Sequence, residues 1–462
     1  MNRKIWDAVE RVPTKMNLAF RILYRFYRLF SWSRYWAMRR FTRAGLAVLG
    51  GACVATTLAL DPENTVGYQG FTLLLGMLLA ALLFRVGFKV SFAAERLLPR
   101  FGTVGQPFTY RVGVRNLTRK QQSGLSLLEN LADMRPTFDQ WKELQLDDRK
   151  YIRPFRLGQR RRGNPFRLAK LNEALVPPLP PQQSGELRVE LTPLQRGLVR
   201  FDGLTLARPD PMGLIRALHN VALPASVLIL PKRYPLPPVA LPGALKYQQG
   251  GVAMASNVGQ SDEFVALREY RRGDPIRHIH WRSWAKVGKP IVKEFEDEFF
   301  VRHALILDTF TDRPYTDEFE EAVSVAASFA CTVLTQESLL DLLFVERQAY
   351  CFTAGRGLAH ADQMLEILAS VQPCKGSFAT LDDLVVNHAS LVSGCIFMLL
   401  AWDEPRQRLV KKLKMLGLPV LVLVIQPSGK TKPLDPGPMR DDPERLVALE
   451  VGKVEEQLAR MK

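Results

Sequence analysis

The chain has 462 residues, 47% hydrophobic and 24% charged, which is too long for one ordinary core and too apolar for wholesale disorder. Its net charge of +17 is uneven: residues 1–43 hold eleven Lys/Arg against Asp7 and Glu10, and the remaining 419 share only +8. This asymmetry argues against a nucleic-acid-binding protein, whose basic surface belongs to a folded domain, and the five cysteines, odd in number and without a CxxC pair, argue against a disulfide framework or a zinc ribbon.

Residues 1–43 carry ten aromatics, among them Phe20, Tyr24, Tyr27, Phe30, Trp32 and Trp36, interleaved with Arg21, Arg25, Arg28 and Arg34. Aromatics and arginines at near-helical spacing predict a helix in the headgroup layer of an anionic bilayer. Ala44–Leu60 then gives 17 residues without a charge and Thr65–Phe84 gives 20. Both lengths fall within the roughly 17–25 residues of a spanning helix. The acidic turn Asp61-Pro62-Glu63-Asn64 separates them. Arg39, Arg40 and Arg43 precede the first, and Arg85 and Lys89 follow the second. A transmembrane hairpin over 44–86 with both termini and the soluble domains cytoplasmic is the expected arrangement. A reducing compartment suits the cysteines, of which four sit in or beside apolar runs and read as buried thiols.

From 90 to 230 the runs Phe108–Val114, Leu187–Leu191 and Gly203–Ala207 alternate with period two between Gly, Pro and Asn signals, predicting a β-sandwich with one wet face. Residues 133–170 interrupt it as a polar, Arg-rich insertion without an assignment, and Pro177–Pro181 reads as an extended connector. Residues 231–298 form a charged segment with little apolar periodicity. Beyond it, over 299–462, strands Ala304–Leu307, Leu339–Val345, Cys395–Leu400 and Val420–Ile425 alternate with helices. The first helix starts at Asp317 and Glu320 and has the stripe Phe319, Ala322, Val323, Ala326, Ala330 and Val333; the others cover Ala361–Ala369 and Arg406–Leu416. Such alternation predicts a doubly wound α/β domain around a mostly parallel sheet.

Catalytic motifs fail or stay weak. Gly429-Lys430-Thr431 follows a strand, but Val424 stands where a phosphate loop needs Gly and Pro433 where its helix begins. His278 and His280 lack a third ligand at useful spacing. Asp308 and Asp403 each end a strand of the α/β sheet, where ligands of such sheets bind, so together they are candidates for a Mg²⁺ site; each could equally cap the helix or loop that follows. The densest cluster is Arg268-Glu269-Tyr270-Arg271-Arg272-Gly273-Asp274-Pro275-Ile276-Arg277, followed by Ile279, Trp281 and Trp284. Its ion pairs and aromatics describe a charged binding face or a pinned interdomain strap, and no obvious nucleophile accompanies them.

Arg268-Glu269-Tyr270, Gly273-Asp274, Arg277-x-Ile279-x-Trp281 and Lys293-Glu294-Phe295-Glu296, with Arg196-Gly197 and Asp210-Pro211-Met212-Gly213-Leu214 upstream, resemble the bacterial domain of unknown function 58 family. His280 stands where that family usually has an acid. The resemblance implies a membrane-anchored protein with an immunoglobulin-like β-sandwich, a von Willebrand factor type A-like α/β domain, and a working association with MoxR-type AAA+ ATPases. In metal-dependent type A domains the first strand ends in DxSxS. The matching stretch here is Asp308-Thr309-Phe310-Thr311-Asp312, in which Phe310 cannot ligate a metal, so no cofactor is expected. Two functions follow: a non-enzymatic adaptor coupling such an ATPase to an unnamed client protein, or a membrane-face hydrolase or transferase using Glu269 and Asp274 as acid and base. A carboxyl pKa raised in an open cleft favours the second; carboxylates paired to Arg268 or Arg277 favour the first.

Overall fold

The computed structural model describes residues 14–58, 65–86, 91–133, 135–151, 167–237, 264–272, 274, 276, 279–295, 302–313, 315–335, 339–354, 358–429 and 433–461. Outside them fall the expected acidic turn 61–64, Lys89, Arg160–Arg162 of the insertion, Gly273, Pro275, Arg277, His278, Glu296 and Lys430-Thr431. The chain forms two compact units, Met1–Leu230 and Pro231–Lys462.

The first unit opens with α1 (Thr14–Arg40), α2 (Arg43–Leu58) and α3 (Thr65–Val86). Leu18, Ile22, Phe26, Leu29, Phe30 and Trp32 of α1 are exposed, whereas Phe20 is buried. Among the described residues one helix, α3, is long and apolar enough to cross a membrane, over Val66–Leu83. Helix α2 packs against it but has 16 residues, a rise of about 24 Å, short of a full span by itself. It cannot begin earlier, because Thr42 N–H donates to the Leu214 carbonyl (3.0 Å) and breaks the chain away from α1.

Strands β1 (Phe92–Leu97), β2 (Phe101–Thr103), β3 (Phe108–Asn116) and β4 (Leu125–Leu131) follow, then α4 (Phe138–Tyr151). Next come β5 (Ala169–Leu171), β6 (Ala174–Val176), β7 (Ser184–Pro193), β8 (Gly197–Pro209) and β9 (Arg216–Leu230). They make a sheet β1-β3-β7-β5 and a sheet β2-β9-β8-β4-β6. The inward residues Val112, Val114, Leu127, Leu187, Val189, Leu191, Leu204 and Leu206 share one core, as expected of a sandwich. The alternating runs of the sequence sit inside β3, β7 and β8. Asn116 ends β3 and opens the turn that follows, its Oδ1 accepting from Thr118 N–H (2.9 Å), while its buried amide donates to the carbonyls of Lys120, Leu179 and Pro180 and so binds the Pro-rich connector down. The unassigned insertion contributes α4, whose Trp141 packs on Phe20, Tyr24 and Tyr27 of α1.

The second unit holds a two-stranded sheet, β10 (Phe264–Glu269) and β11 (Ile291–Phe295), with α5 (Trp281–Val287) between them in sequence. After it come β12 (Arg302–Leu307), α6 (Asp317–Thr335), β13 (Leu339–Val345), β14 (Ala349–Ala354), α7 (Leu358–Ser370) and α8 (Ala379–His388). The chain ends with β15 (Gly394–Leu399), α9 (Glu404–Met415), β16 (Val420–Gln426), β17 (Leu446–Glu450) and α10 (Val454–Ala459). The sheet order is β14-β13-β12-β15-β16-β17, parallel except for β14. Helix α6 begins where Thr316 Oγ1 accepts from Phe319 N–H and where Asp317, Glu318 and Glu320 complement the helix dipole. It is buried on every side from Ala322 to Ala330, not along one stripe, and its Ser324 and Ser328 hydroxyls return to the Glu320 and Ser324 carbonyls. Tyr234 covers part of it, its N–H donating to Ser328 Oγ (2.8 Å) and its hydroxyl to Glu321 (2.6 Å).

Candidate functional site

In a doubly wound sheet the ligand crevice lies at the carboxyl ends of the strands where the order reverses, here between β12 and β15. Asp308 directly follows β12, and Asp403 lies beyond β15 as the cap of the next helix. What joins them is Arg406. Its Nε reaches Asp308 Oδ2 at 2.6 Å and its Nη1 reaches Asp403 Oδ2 at 2.6 Å. Asp308 is fully buried and also accepts from the N–H groups of Phe310 (3.0 Å) and Leu400 (3.1 Å). Burial alone would lower the Arg406 pKa; the charge and hydrogen bond of Asp308, with Asp403, raise it instead. The guanidinium lies 4.8 Å over the Phe378 ring, and Phe310 meets Phe378 edge-on at 5.8 Å. The crevice is therefore filled by a tethered cation and two aromatics of this chain. The residues do not fit a Mg²⁺ ion as they stand: both carboxylates are engaged, and Phe310 supplies packing where an oxygen ligand would be needed. Asp403 also caps α9, accepting from Arg406 N–H (3.3 Å) before Pro405.

The Arg268–Trp281 cluster folds into a small clasp. Val292 of β11 is buried, paired with Arg268 of β10 on one side and bridged by Ile279 on the other. Tyr270 N–H donates to the Pro290 carbonyl (2.9 Å), and His280 N–H to Ile291 (2.8 Å). Asp274 turns back onto β10, its two oxygens each 2.7 Å from the Arg268 guanidinium, and accepts from Arg271 N–H at 2.7 Å. These bonds from Arg268 and then Arg271 hold its carboxyl down at about 2. Glu269 is exposed beside Lys289 at 3.3 Å. His280 is tied through Nδ1 to Ser283 Oγ at 2.7 Å.

The two tryptophans differ in setting, Trp284 half-buried and Trp281 exposed. Trp281 stacks on Trp284 at 5.2 Å and 17° and remains 62% exposed, and Ile276 is 69% exposed. Leu267 and Val287 are exposed as well, among exposed Arg271, Arg272, Arg282, Lys286 and Lys289. Apolar and basic side chains thus share one short stretch of surface, with the carboxylate that could have been catalytic already ion-paired.

The Asp210–Leu214 signature has a local task in the first unit. Asp210 Oδ1 accepts from the N–H groups of Leu214 (2.6 Å) and Ile215 (2.9 Å), and Gly213 takes a left-handed φ of 69°. The turn so formed offers its Leu214 carbonyl to Thr42, and Leu214 and Ile215 pack with Phe41, Val48, Met77 and Ala81 of the helices. A Cβ on Gly45 would lie 1.9 Å from the Leu214 oxygen, so only glycine fits there. Arg39 completes the junction, donating to Asn130 Oδ1 (2.5 Å) and the Glu129 carbonyl (2.6 Å). A cleft of about 440 Å³ in the same unit is lined by Tyr27, Ser31 and Tyr35 with Asp133, Arg135 and Asp202, and its Asp133 is tied to Arg135 at 2.6 Å.

Arg406 is the site residue that sequence reasoning missed. A signal existed: an arginine in the first turn of a helix opposes the helix dipole and calls for an acid nearby. Among the described residues no group of three or more His, Cys, Asp or Glu could hold a metal ion.

Residues 266–428 match the family model described as "Protein of unknown function DUF58". The chain is similar to the uncharacterized protein YeaD of Bacillus subtilis (strain 168), 27% identical over 192 residues, 41% of this chain and 46% of the relative, so it spans less than half of that relative's length. Among solved structures, the CARDB domain of PF1109 from Pyrococcus furiosus aligns at 14% identity over 30% of this chain and 93% of its own, with a TM-score of 0.15. A Salmonella alpha-2-macroglobulin mutant aligns at 16% identity over 35% of this chain and 9% of its own, with a TM-score of 0.18.

Proposed function

We propose that the chain is a membrane-anchored, non-enzymatic adaptor whose Arg268–Lys289 clasp binds a MoxR-type AAA+ ATPase and presents client proteins to it. The observation that carries this reading is the exposed Trp281, Ile276 and Val287 among arginines and lysines, within the stretch that matches the family. Exposed aromatics and arginines are the residues that dominate partner interfaces, and the basic rim fits an acidic partner surface. The pairing of Asp274 with Arg268, which holds its carboxyl down at about 2, favours the adaptor over a hydrolase or transferase that would use Asp274 as its acid. The sheet order, with Asp308 ending its central strand, supports a von Willebrand factor type A-like domain whose metal has been replaced by Arg406.

In this reading α2 and α3 form the transmembrane hairpin, α1 lies in the headgroups with its exposed apolar side chains toward lipid, and the β-sandwich and the second unit are cytoplasmic. Protease added to sealed, right-side-out spheroplasts then leaves both intact; their digestion would refute the topology. Binding of the full chain in mild detergent to a MoxR-type ATPase tests the adaptor role, and undiminished binding by a folded Trp281→Ala, Arg271→Glu, Arg282→Glu variant would contradict it.

A further inference from the structure

The cleft of about 440 Å³ in the first unit carries charges that its own walls do not balance. One wall is α1, where Tyr27, Ser31 and Tyr35 recur every four residues and so set three hydroxyls along one face of the helix. The other belongs to the β-sandwich, through Glu129 and Leu131 of β4, Leu171 of β5 and Asp202 of β8, with Asp133, Arg135 and Arg167 from the connections between them.

Three of the charged side chains in this lining are answered within the protein. Arg135 bonds both oxygens of Asp133, Nε to Oδ1 at 2.7 Å and Nη2 to Oδ2 at 2.6 Å. Glu129 accepts from Arg96 Nε at 3.2 Å and from the Tyr110 hydroxyl at 2.8 Å. Arg167 and Asp202 differ: both are exposed, and among the described residues the side chain of neither has a hydrogen-bonding or ionic partner. The cleft therefore offers one cation and one anion beside three hydroxyls. A simple ion of either sign leaves one of the two charges unanswered, whereas a zwitterion answers both. Arginine and hydroxyl donors suit the oxygens of a phosphate, and a lone carboxylate suits an ammonium that still carries N–H groups. Leu23 and Phe30, four residues before Tyr27 and three after it, are exposed next to that face of α1 and give the cleft an apolar flank.

We propose that this cleft binds a phosphoethanolamine group, its phosphate at Arg167 and the α1 hydroxyls and its ammonium at Asp202. That group occurs as the headgroup of a phospholipid and in water-soluble phosphodiesters. The apolar flank on α1 favours the lipid, whose acyl chains would lie along Leu23 and Phe30. The lipid source rests on the placement of α1 among the headgroups proposed above; recognition of the group itself does not.

The experiment has two arms, both on the full chain in mild detergent. In the first, binding of soluble glycerophosphoethanolamine is followed by calorimetry, with glycerophosphocholine as the comparison. The ethanolamine diester should bind about ten-fold more tightly than the choline diester, whose nitrogen has no N–H for Asp202. Arg167→Gln and Asp202→Asn should each weaken its binding about ten-fold, and because both side chains are exposed the variants should keep the native unfolding midpoint. In the second arm, the chain is equilibrated with equal amounts of phosphatidylethanolamine, phosphatidylcholine and phosphatidylglycerol and the retained lipid is read by native mass spectrometry. Selective retention of phosphatidylethanolamine, lost in both variants, identifies the lipid as the source. Binding of the soluble diester without selective lipid retention keeps the site, assigns it to a soluble ligand and counts against the placement of α1 alone. No saturable binding in either arm, binding indifferent to both substitutions, or equal binding of the choline compounds would overturn the proposal.

Discussion

Two arginine–aspartate pairs in the same unit have opposite settings. Arg406 and Asp308 meet in the interior at the end of the central strand, where 8% of the arginine side chain and none of the aspartate sees solvent; Arg268 and Asp274 meet on the rim of a two-stranded sheet, 32% and 15% exposed. The buried pair cannot be separated without leaving a bare charge in the core, so it is committed to holding the crevice shut. The rim pair shapes a turn at little cost, which leaves the neighbouring side chains free for a partner. Sequence alone ranks the two the other way, since the rim cluster is dense in charge and Arg406 is one arginine among many.

Breaking the buried pair should give the largest effect. Arg406→Ala leaves Asp308 ionised and unpaired, and the second unit should lose about 3–5 kcal/mol, read as a large drop in the urea or thermal midpoint of the full chain in detergent. The native chain should melt at the same temperature with EDTA or with millimolar Mg²⁺, because Arg406 already holds both carboxylates; a Mg²⁺-dependent rise would mean that other oxygens complete a site. In the first unit, Gly45→Ala drives a methyl into the Leu214 carbonyl and should cost about 1–3 kcal/mol, visible as a lower midpoint for that unit alone.

His388, whose Nε2 lies 2.9 Å from Oδ2 of buried Asp341, sharpens the contrast through pH. Its folded pKa is raised from 6.5 to about 9, so its contribution is whole below pH 6.5 and is lost as pH rises through about 9. The native chain should therefore lose more stability than His388→Gln between those values, a moderate shift in midpoint that disappears in the variant. Asp274 has the opposite sign: its carboxyl is held at about 2, so its contribution is present above the ordinary value of 3.8 and lost as pH falls through about 2. Asp274→Asn on the exposed rim should move the midpoint at neutral pH by little or nothing.

Much of this architecture is legible in the sequence because strands and helices announce themselves by period. The runs at Ala304–Leu307, Leu339–Val345 and Val420–Ile425 became β12, β13 and β16, and the alternating runs became β3, β7 and β8. Strand β14 escaped because Ala349–Ala354 is an edge strand paired on one side only, with a mixed burial pattern. Helix α6 is buried beyond its predicted stripe because α7 as well as the sheet packs against it and Tyr234 bonds to Ser328 and Glu321, so Ala and Ser on its second face are core. Of the cysteines expected as buried thiols, Cys395 is buried, Cys331 and Cys374 are half-buried, and Cys53 and Cys351 are exposed. That Asp308 and Asp403 follow the ends of strands was legible in the sequence. That a guanidinium joins them was not, because the contact spans 98 residues of chain. The Asp210–Leu214 signature could be recognised but not explained, as its partners Thr42 and Gly45 lie far upstream.

The most direct test of the adaptor reading is a titration of the MoxR-type ATPase of the same cell against the full chain in mild detergent, comparing native protein with Trp281→Ala combined with Arg271→Glu and Arg282→Glu. We expect the triple variant to keep the native unfolding midpoint and to lose binding by roughly 100-fold, about 3 kcal/mol, as removal of a central aromatic and reversal of its basic rim would give. Undiminished binding by a folded variant would contradict the assignment of that surface and, with it, the division of labour between the rim and the buried pair.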